Sequence, residues 1–461
     1  MITELAFAVV GHPNKGKSSI VSTLSRNDSI EISARSGTTT EADCYEVTVL
    51  DTGYKLYDTP GFQRPRQVLN WIKSRAENAS ERPQAVKEFV NNAEAARAFP
   101  DEVQLLKPII DGASILYVVD CSNPYGPEYE MEMEILRWCG QPRMALINPI
   151  TNTDYLKDWQ DALGQYFNLV QVFNPIKANL DNQIELMDAF QVLSPVNKNV
   201  LASIKDALKR EVTIWQKQSA ELLASLLVDV CSYKESQKVL TEAQAALLET
   251  ELKRRFESNI KQKEQVALQA VKYLFRHMRT QAVIQELSMP PDLFDVSQWY
   301  LWGLSKTQLI TSLAVSGMVA GGAIDLVVGG ASFMLGTAVG GLTGLASGLV
   351  SSETIDKLKI KNVPLVGQEA CYGPIKDYNF PYVIINRFLH LFTQISHKNH
   401  ADRRNIEVNI PSWDLILEGL DERIRRRLQL HCARLVKQKY VDHQDLTDIL
   451  YEVLIIGADK H

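Results

Sequence analysis

The sequence predicts an α/β domain with a mostly parallel sheet and flanking helices, followed by an all-α domain that carries a glycine-rich helical hairpin. Three observations predict it. Short β-rich runs alternate with helix-like stretches over about the first 190 residues of the chain. Beyond Pro195 apolar residues recur only at helical spacing. From Leu309 to Val350 the single charged residue is Asp325.

At 461 residues the chain is too long for one core. Its pattern divides into 1–194, 195–300, 301–360 and 361–461. A hydrophobic content of 45% and a charged content of 23% exclude a disordered protein. The net charge of −6 speaks against a sequence-blind nucleic-acid binder, although a local basic face is compatible with it. Six cysteines are scattered with no CxxC pair, so neither a zinc site nor a disulfide framework is expected, and a reducing compartment fits. The start, MITELAFAVVGH, has an apolar run only one strand long and no basic segment before it. No secretory signal is expected, and the expected location is the cytoplasm, either free or at the inner membrane.

Leu5 to Val10 reads as a buried parallel strand, and Cys44 to Leu50 with Lys55 to Tyr57 as a hairpin. Ser114 to Val119, Met144 to Ile147 and Leu169 to Phe173 complete the β set, with a polar helical insertion from about Phe62 to Asp111. Strands alternating with helices imply a parallel sheet covered on both faces. Further on, Ile204, Leu208, Val212, Trp215, Ser219, Leu222 and Leu226 form one helical seam, and Leu248, Leu252, Phe256 and Ile260 a second.

The chemistry is concentrated near the start. Gly11-His12-Pro13-Asn14-Lys15-Gly16-Lys17-Ser18 fits GxxxxGK[ST], with a strand before it and a helix after it. In such a loop backbone N–H groups and the helix N-terminus surround phosphates. The lysine, here Lys17, reaches the β- and γ-phosphates, and the serine, Ser18, ligates magnesium. Gly11, Asn14, Lys15, Gly16, Lys17, Ser18 and Ser19 are the candidate nucleotide contacts of this segment. Asp58-Thr59-Pro60-Gly61 follows a strand, where the carboxylate can hold magnesium and the Gly61 N–H can sense the γ-phosphate. Between them Ser36-Gly37-Thr38-Thr39-Thr40 stands where a first switch loop would supply a threonine hydroxyl to the metal.

Together GHPNKGKSS, SGTTT and LYDTPG resemble the Era/TrmE-like GTPases of the translation-factor class. ILYVVDCSNPYGPEYEMEMEILRWCGQP and the later glycine tract extend the resemblance to a bacterial group with an Era-like domain ahead of a helix-rich region. The resemblance implies magnesium-dependent hydrolysis of GTP to GDP and phosphate. It makes Lys17, Thr39 and Asn14 the catalytic candidates and Ser18, Thr39 and Asp58 the metal ligands. Asn14 matches an asparagine with which relatives hold potassium against the phosphates, and Thr40 stands where many relatives have arginine. Two departures matter. The guanine-reading Asn-Lys-x-Asp is replaced by Asn148-Pro149-Ile150-Thr151, so Asn148 can meet the base but Thr151 cannot accept as a carboxylate would. Asp154 substitutes only if the loop folds back. Phe62 follows Gly61 where Ras-like enzymes place a water-orienting glutamine, which implies slow intrinsic turnover.

In the apolar tract Ser332, Gly336, Gly340, Gly344, Gly348 and Ser352 recur at intervals of four, a face that lets two helices approach closely. One helix over the tract would be about 63 Å long, against a ~30 Å hydrocarbon core, so a hairpin is expected. It either meets a membrane or forms the buried centre of a soluble domain. Arg423 to Lys439 reads as a basic amphipathic helix for anionic lipid or RNA, or as a solvated face. The expected partners are guanine nucleotide, membrane lipid or a membrane protein at residues 309–350, and a second copy of the chain, with nucleic acid disfavoured. The first reading is a switch acting at a membrane. The second is a soluble Era-like GTPase acting on RNA or ribosomes.

Overall fold

A computed structural model of the protein describes residues 5–26, 42–277, 293–294, 359–363, 367–402 and 420–459. The expected first switch with Thr39, and the glycine-rich tract with Asp325, lie outside the described residues. The chain forms two compact units.

The first unit runs to Thr213 and also takes in the short segments Arg276–Arg279 and His397–Arg404. Its strands are β1 (Ala6–Val10), β2 (Asp43–Val49), β3 (Thr52–Asp58), β4 (Ser114–Asp120), β5 (Arg143–Asn148) and β6 (Val170–Val172). They form one sheet in the order β2-β3-β1-β4-β5-β6, parallel throughout except for β2, which pairs antiparallel with β3. The expected α/β fold is therefore present, strand for strand. Its helices are α1 (Lys17–Ser25), α2 (Pro65–Lys73), α3 (Arg82–Asn91), α4 (Ala93–Ala98), α5 (Pro100–Ile110), α6 (Glu128–Trp138), α7 (Leu156–Leu163), α8 (Leu180–Leu193) and the start of α9 (Lys198–Ser232).

Alternate strand residues feed two cores, as a sheet covered on both faces requires. Ala8, Val10, Tyr117, Val119 and Ile147 meet Phe62, Ile72, Phe89 and Leu106 of the insertion side. Phe7, Val9, Leu116, Val118 and Leu146 meet Ile20, Leu24, Met187 and Phe190. Leu201, Ile204 and Leu208 of α9 join that second core, so the first unit extends past residue 194. The chain direction across the sheet switches at β1: β2 and β3 lie on one side of it and β4 to β6 on the other. Ligands of such sheets bind beyond the carboxyl ends of the strands at this point.

The second unit holds the rest of α9, α10 (Glu242–Leu274), α11 (Phe380–His397), α12 (Glu422–Val436) and α13 (His443–Asp459). Inside it Arg387 grips Glu264 with two bonds of 2.6 and 3.0 Å, both side chains buried. The region is helical as expected but not wholly so. β7 (Glu235–Val239), β8 (Lys359–Val363) and β9 (Gly367–Tyr372) form an antiparallel sheet in the order β7-β9-β8. The expectation of helix alone missed these strands because each has only five or six residues and the pairing of β7 with β9, Val239 to Gln368, is remote in sequence. Among the described residues no helix is long and apolar enough to cross a membrane.

Candidate functional site

The candidate residues within the described part of the chain gather beyond the ends of β1, β3 and β5. The loop Gly11–Gly16 leaves β1 and enters α1, whose first hydrogen bond is Ile20 N–H to Gly16 O at 3.0 Å. The first turn of a helix has donors without internal partners, and its dipole favours an anion there. Gly16 caps the helix in the left-handed region at φ 87°, and a Cβ on it would meet Asn148 Nδ2 at 2.4 Å. Asn14, exposed on the loop, also has positive φ, at 62°; its short polar side chain tolerates that conformation.

Lys17 is buried, and its Nζ donates to the carbonyls of His12 (3.1 Å) and Gly11 (3.3 Å). Burial pulls its ammonium below the ordinary lysine value, while the nearby carboxyls of Asp58 and Glu132 act in the opposite direction. Asp58, the last residue of β3, is 3% exposed. Burial raises its carboxyl to about 6, opposed by a hydrogen bond from Ser18 and by the charge of Lys17. Asp58 Oδ1 is buried with no hydrogen-bond partner among the described residues. A serine hydroxyl beside a carboxylate oxygen that lacks a donor is a hard-oxygen set of the kind magnesium takes. Ser18 and Asp58 therefore fit the metal, which when bound would neutralise phosphate charge. Thr59 Oγ1 donates to Val9 O (2.8 Å), pinning the end of β3 to β1. Gly61 lies so close to the phosphate loop that a Cβ would meet Pro13 at 2.6 Å. The Phe62 N–H donates to Gly11 O at 3.4 Å, and its ring is fully buried in the insertion-side core.

Asn148 closes β5, is buried, and donates through Nδ2 to Lys15 O at 3.1 Å. Lys15 reaches the end of β4, with Nζ 3.9 Å from Asp120 Oδ2 and 5.9 Å from the centre of the Tyr129 ring. Around Asn148 three strand-end loops are sewn together. Ser122 Oγ accepts from Thr151 N (2.9 Å) and Asn152 N (3.2 Å), and Asn174 Nδ2 donates to Pro149 O (3.2 Å). Asp154 is exposed, its own N–H donating to Asn152 Oδ1 at 3.2 Å in the turn before α7. Ser18 and Ser19 sit half-buried in the first turn of α1.

Sequence reasoning missed two buried carboxylates beside this site. Glu132 in α6 accepts from Tyr117 Oη (2.9 Å) and lies 2.8 Å from His12 Nδ1, so it braces the phosphate loop from below. Glu102 in α5 accepts from the backbone N–H groups of Gln63 (3.0 Å) and Arg64. Both are fully buried. The signal was present: Glu132 stands on the stripe Tyr129, Glu132, Met133, Leu136, and Glu102 on the stripe Glu102, Leu105, Leu106, Ile109. A charged residue on an apolar helical stripe must find donors inside. Behind the site, the Thr23 hydroxyl of α1 lies 2.8 Å from both Pro175 O and Asn399 Oδ1, and Asn399 Nδ2 donates to Ala178 O at 2.6 Å. Arg26, at the end of α1, pairs with buried Glu211 at 2.7 Å.

Residues 6–148 match the family model of the 50S ribosome-binding GTPase, and residues 160–439 match the domain of unknown function DUF3482. GTPase Era of Fusobacterium nucleatum is 24% identical over 190 residues, which is 40% of this chain and 55% of that protein. GTPase Der of Mycoplasma pneumoniae is 35% identical over 71 residues, 15% of this chain and 16% of that protein. The chain thus spans about half the length of the Era relative and far less of Der. A crystal structure of Era in complex with MgGDPNP and a segment of 16S ribosomal RNA aligns over 59% of this chain and 88% of its own. The identity is 14% and the TM-score 0.30, too low to carry the fold assignment, which rests on the strand order and the family models. The DUF3482 match covers more than half of the chain: the protein belongs to the DUF3482 family, with a P-loop GTPase domain of Era/Der homology ahead of that region.

Proposed function

We propose that this protein is a magnesium-dependent, GTP-hydrolysing switch of the Era/Der type. The observation that carries the reading is the joint placement of Lys17, Ser18 and Asp58 at the mouth of α1, with Asp58 Oδ1 buried and lacking a donor among the described residues. Lys17 would exchange the carbonyls of Gly11 and His12 for phosphate oxygens, and the first-turn N–H groups of α1 would hold the same phosphates. Ser18 and Asp58 would hold magnesium, with Thr39 completing the set from the first switch. The base would lie among the loops joined at Asn148, Ser122 and Asn174. Buried Phe62 offers no polar group to an attacking water, which supports slow turnover without a partner or a cation.

Of the two biological settings, the description of the matched domain as a 50S ribosome-binding GTPase and the Era relative favour an RNA or ribosomal target. The membrane setting rests on residues 309–350, outside the described part of the chain. The deciding experiment titrates GTP and ATP, each with magnesium, into the full-length protein. A clear preference for GTP is expected, and ATP binding as tight as GTP would overturn the guanine assignment. Sedimentation with ribosomal subunits against flotation with liposomes then separates the settings. Flotation without ribosomal sedimentation would favour the membrane setting instead.

A further inference from the structure

Four consecutive residues after Asp58-Thr59-Pro60 are held from two sides. On one side Gly61 presses on Pro13 and the Phe62 N–H donates to Gly11 O, so the phosphate loop fixes the first pair. On the other, Glu102 Oε1 accepts the N–H groups of both Gln63 and Arg64, fixing the second pair. The guanidinium of Arg64 also lies over the ring of Phe99, 5.2 Å from its centre, at the residue that caps α5. Glu102 is fully buried in the first turn of α5, and its Oε2 has no hydrogen-bond partner among the described residues. Burying a carboxylate costs far more than burying an apolar side chain of the same size unless its hydrogen bonds compensate. Among the described residues, the side-chain bonds of Glu102 go to the backbone of the segment next to the phosphate site. Two bonds accepted by one oxygen fix the direction of the chain.

Resting on the GTPase reading above, we propose that Glu102 is the positioning residue of the second switch loop. It sets the backbone of Gln63 and Arg64 so that the Gly61 N–H is presented to the terminal phosphate in one orientation. The insertion α2–α5 is then a built-in support for the switch, supplying through α5 the order that a side chain after Gly61 does not. Glu102 need touch neither nucleotide nor water. A change at Gly61 on loss of the terminal phosphate would be passed through Glu102 to α5.

The test compares full-length Glu102→Leu, which removes the acceptor at similar volume, with Glu102→Gln, which keeps one. Amide hydrogen exchange at Gln63 and Arg64 reads the clamp directly, whatever the activity. Exchange is expected to be about tenfold faster or more in Glu102→Leu and close to wild type in Glu102→Gln. GTP hydrolysis reads its consequence: kcat falls about tenfold in Glu102→Leu while GDP affinity changes less than about threefold, and Glu102→Gln recovers most of the rate. Unprotected amides at Gln63 and Arg64 in the wild type would overturn the proposal. So would equal losses of rate, GDP affinity and melting temperature, which mark a purely structural role, or a wild-type kcat in Glu102→Leu. If Glu102→Leu does not fold, Glu102→Asp draws the carboxylate back by one methylene and takes its place with the same expected split. A wild type that protects both amides but hydrolyses no GTP would fail the GTPase reading, and with it the switch role assigned to the clamp.

Discussion

Asn148 Nδ2 donates to the carbonyl of Lys15 at 3.1 Å, joining the end of β5 to the phosphate loop across 133 residues of sequence. The same amide lies where a Cβ on Gly16 would fall. Loop and strand end are therefore built to fit one another, and a shift of Asn148 would be felt at the loop. Asn148→Ala leaves a buried carbonyl without its donor, at a cost of about 1–3 kcal/mol. It should weaken GTP and GDP alike by about tenfold or more. Gly16→Ala should do at least as much, since it meets both the amide and an unfavourable φ of 87°. Isothermal titration with either nucleotide checks both variants. Unchanged affinities would mean that this contact is incidental.

What could be read from the sequence, and what could not, follows from how far apart the cooperating residues lie. The loop Gly11 to Ser18 is one contiguous segment whose strand–turn–helix context is itself local, so it was legible whole. Asp58 was legible from the contiguous Asp58-Thr59-Pro60-Gly61, and Asn148 because it ends an apolar strand. Glu102 and Glu132 were not, because they reach the site from helices of no recognisable motif, and only a charge on an apolar stripe betrays them. The start of α9 carries a helical seam whether it packs on another helix or on the sheet, so periodicity alone could not assign Leu201 and Ile204 to the sheet core. The return of Asn399 to Thr23, 376 residues away, leaves no local trace at all.

Lys17→Ala removes the cation nearest the expected phosphates and should abolish measurable nucleotide binding, a loss of about 100-fold or more. Ser18→Ala and Asp58→Asn should instead act through the metal. Each is expected to weaken GTP in the presence of magnesium and to leave the weaker magnesium-free binding nearly unchanged. Titrations with and without EDTA distinguish the two classes. Full hydrolysis by the Lys17 variant would place the active site elsewhere.

Potassium is the expected accelerator. Asn14 is exposed on the phosphate loop at φ 62°. A monovalent cation held there would offset charge developing between the β- and γ-phosphates in the transition state. Hydrolysis should be about tenfold faster or more in potassium than in sodium, and Asn14→Ala should remove that difference without lowering GTP affinity to match. Equal rates in the two salts would exclude the idea.

Acid should loosen the first unit through the buried His400 behind α1. The rings of His277 and His400 are stacked, with centroids 4.3 Å apart, and each is less than a tenth exposed. Burial holds His400 well below the ordinary histidine value, and His277, Arg26 and Arg276 push in the same direction. Buried Glu211 pairs with both arginines, at 2.7 and 2.9 Å, so its charge is already engaged. His400 therefore stays neutral in the folded chain at pH values where the unfolded chain takes up a proton. The unfolded state binds more protons below about 6.5, the ordinary histidine value, so stability is complete above that pH and falls as pH drops below it. The slope approaches about 1.4 kcal/mol per pH unit for this group, until the folded protein can itself be protonated. His400→Phe keeps a ring in the stack and the backbone carbonyl that accepts from Ser22 Oγ at 3.3 Å, but it cannot titrate. Denaturant melts between pH 7 and 5 should show a shallower acid limb for His400→Phe than for wild type. Parallel limbs would mean that other groups carry the acid sensitivity.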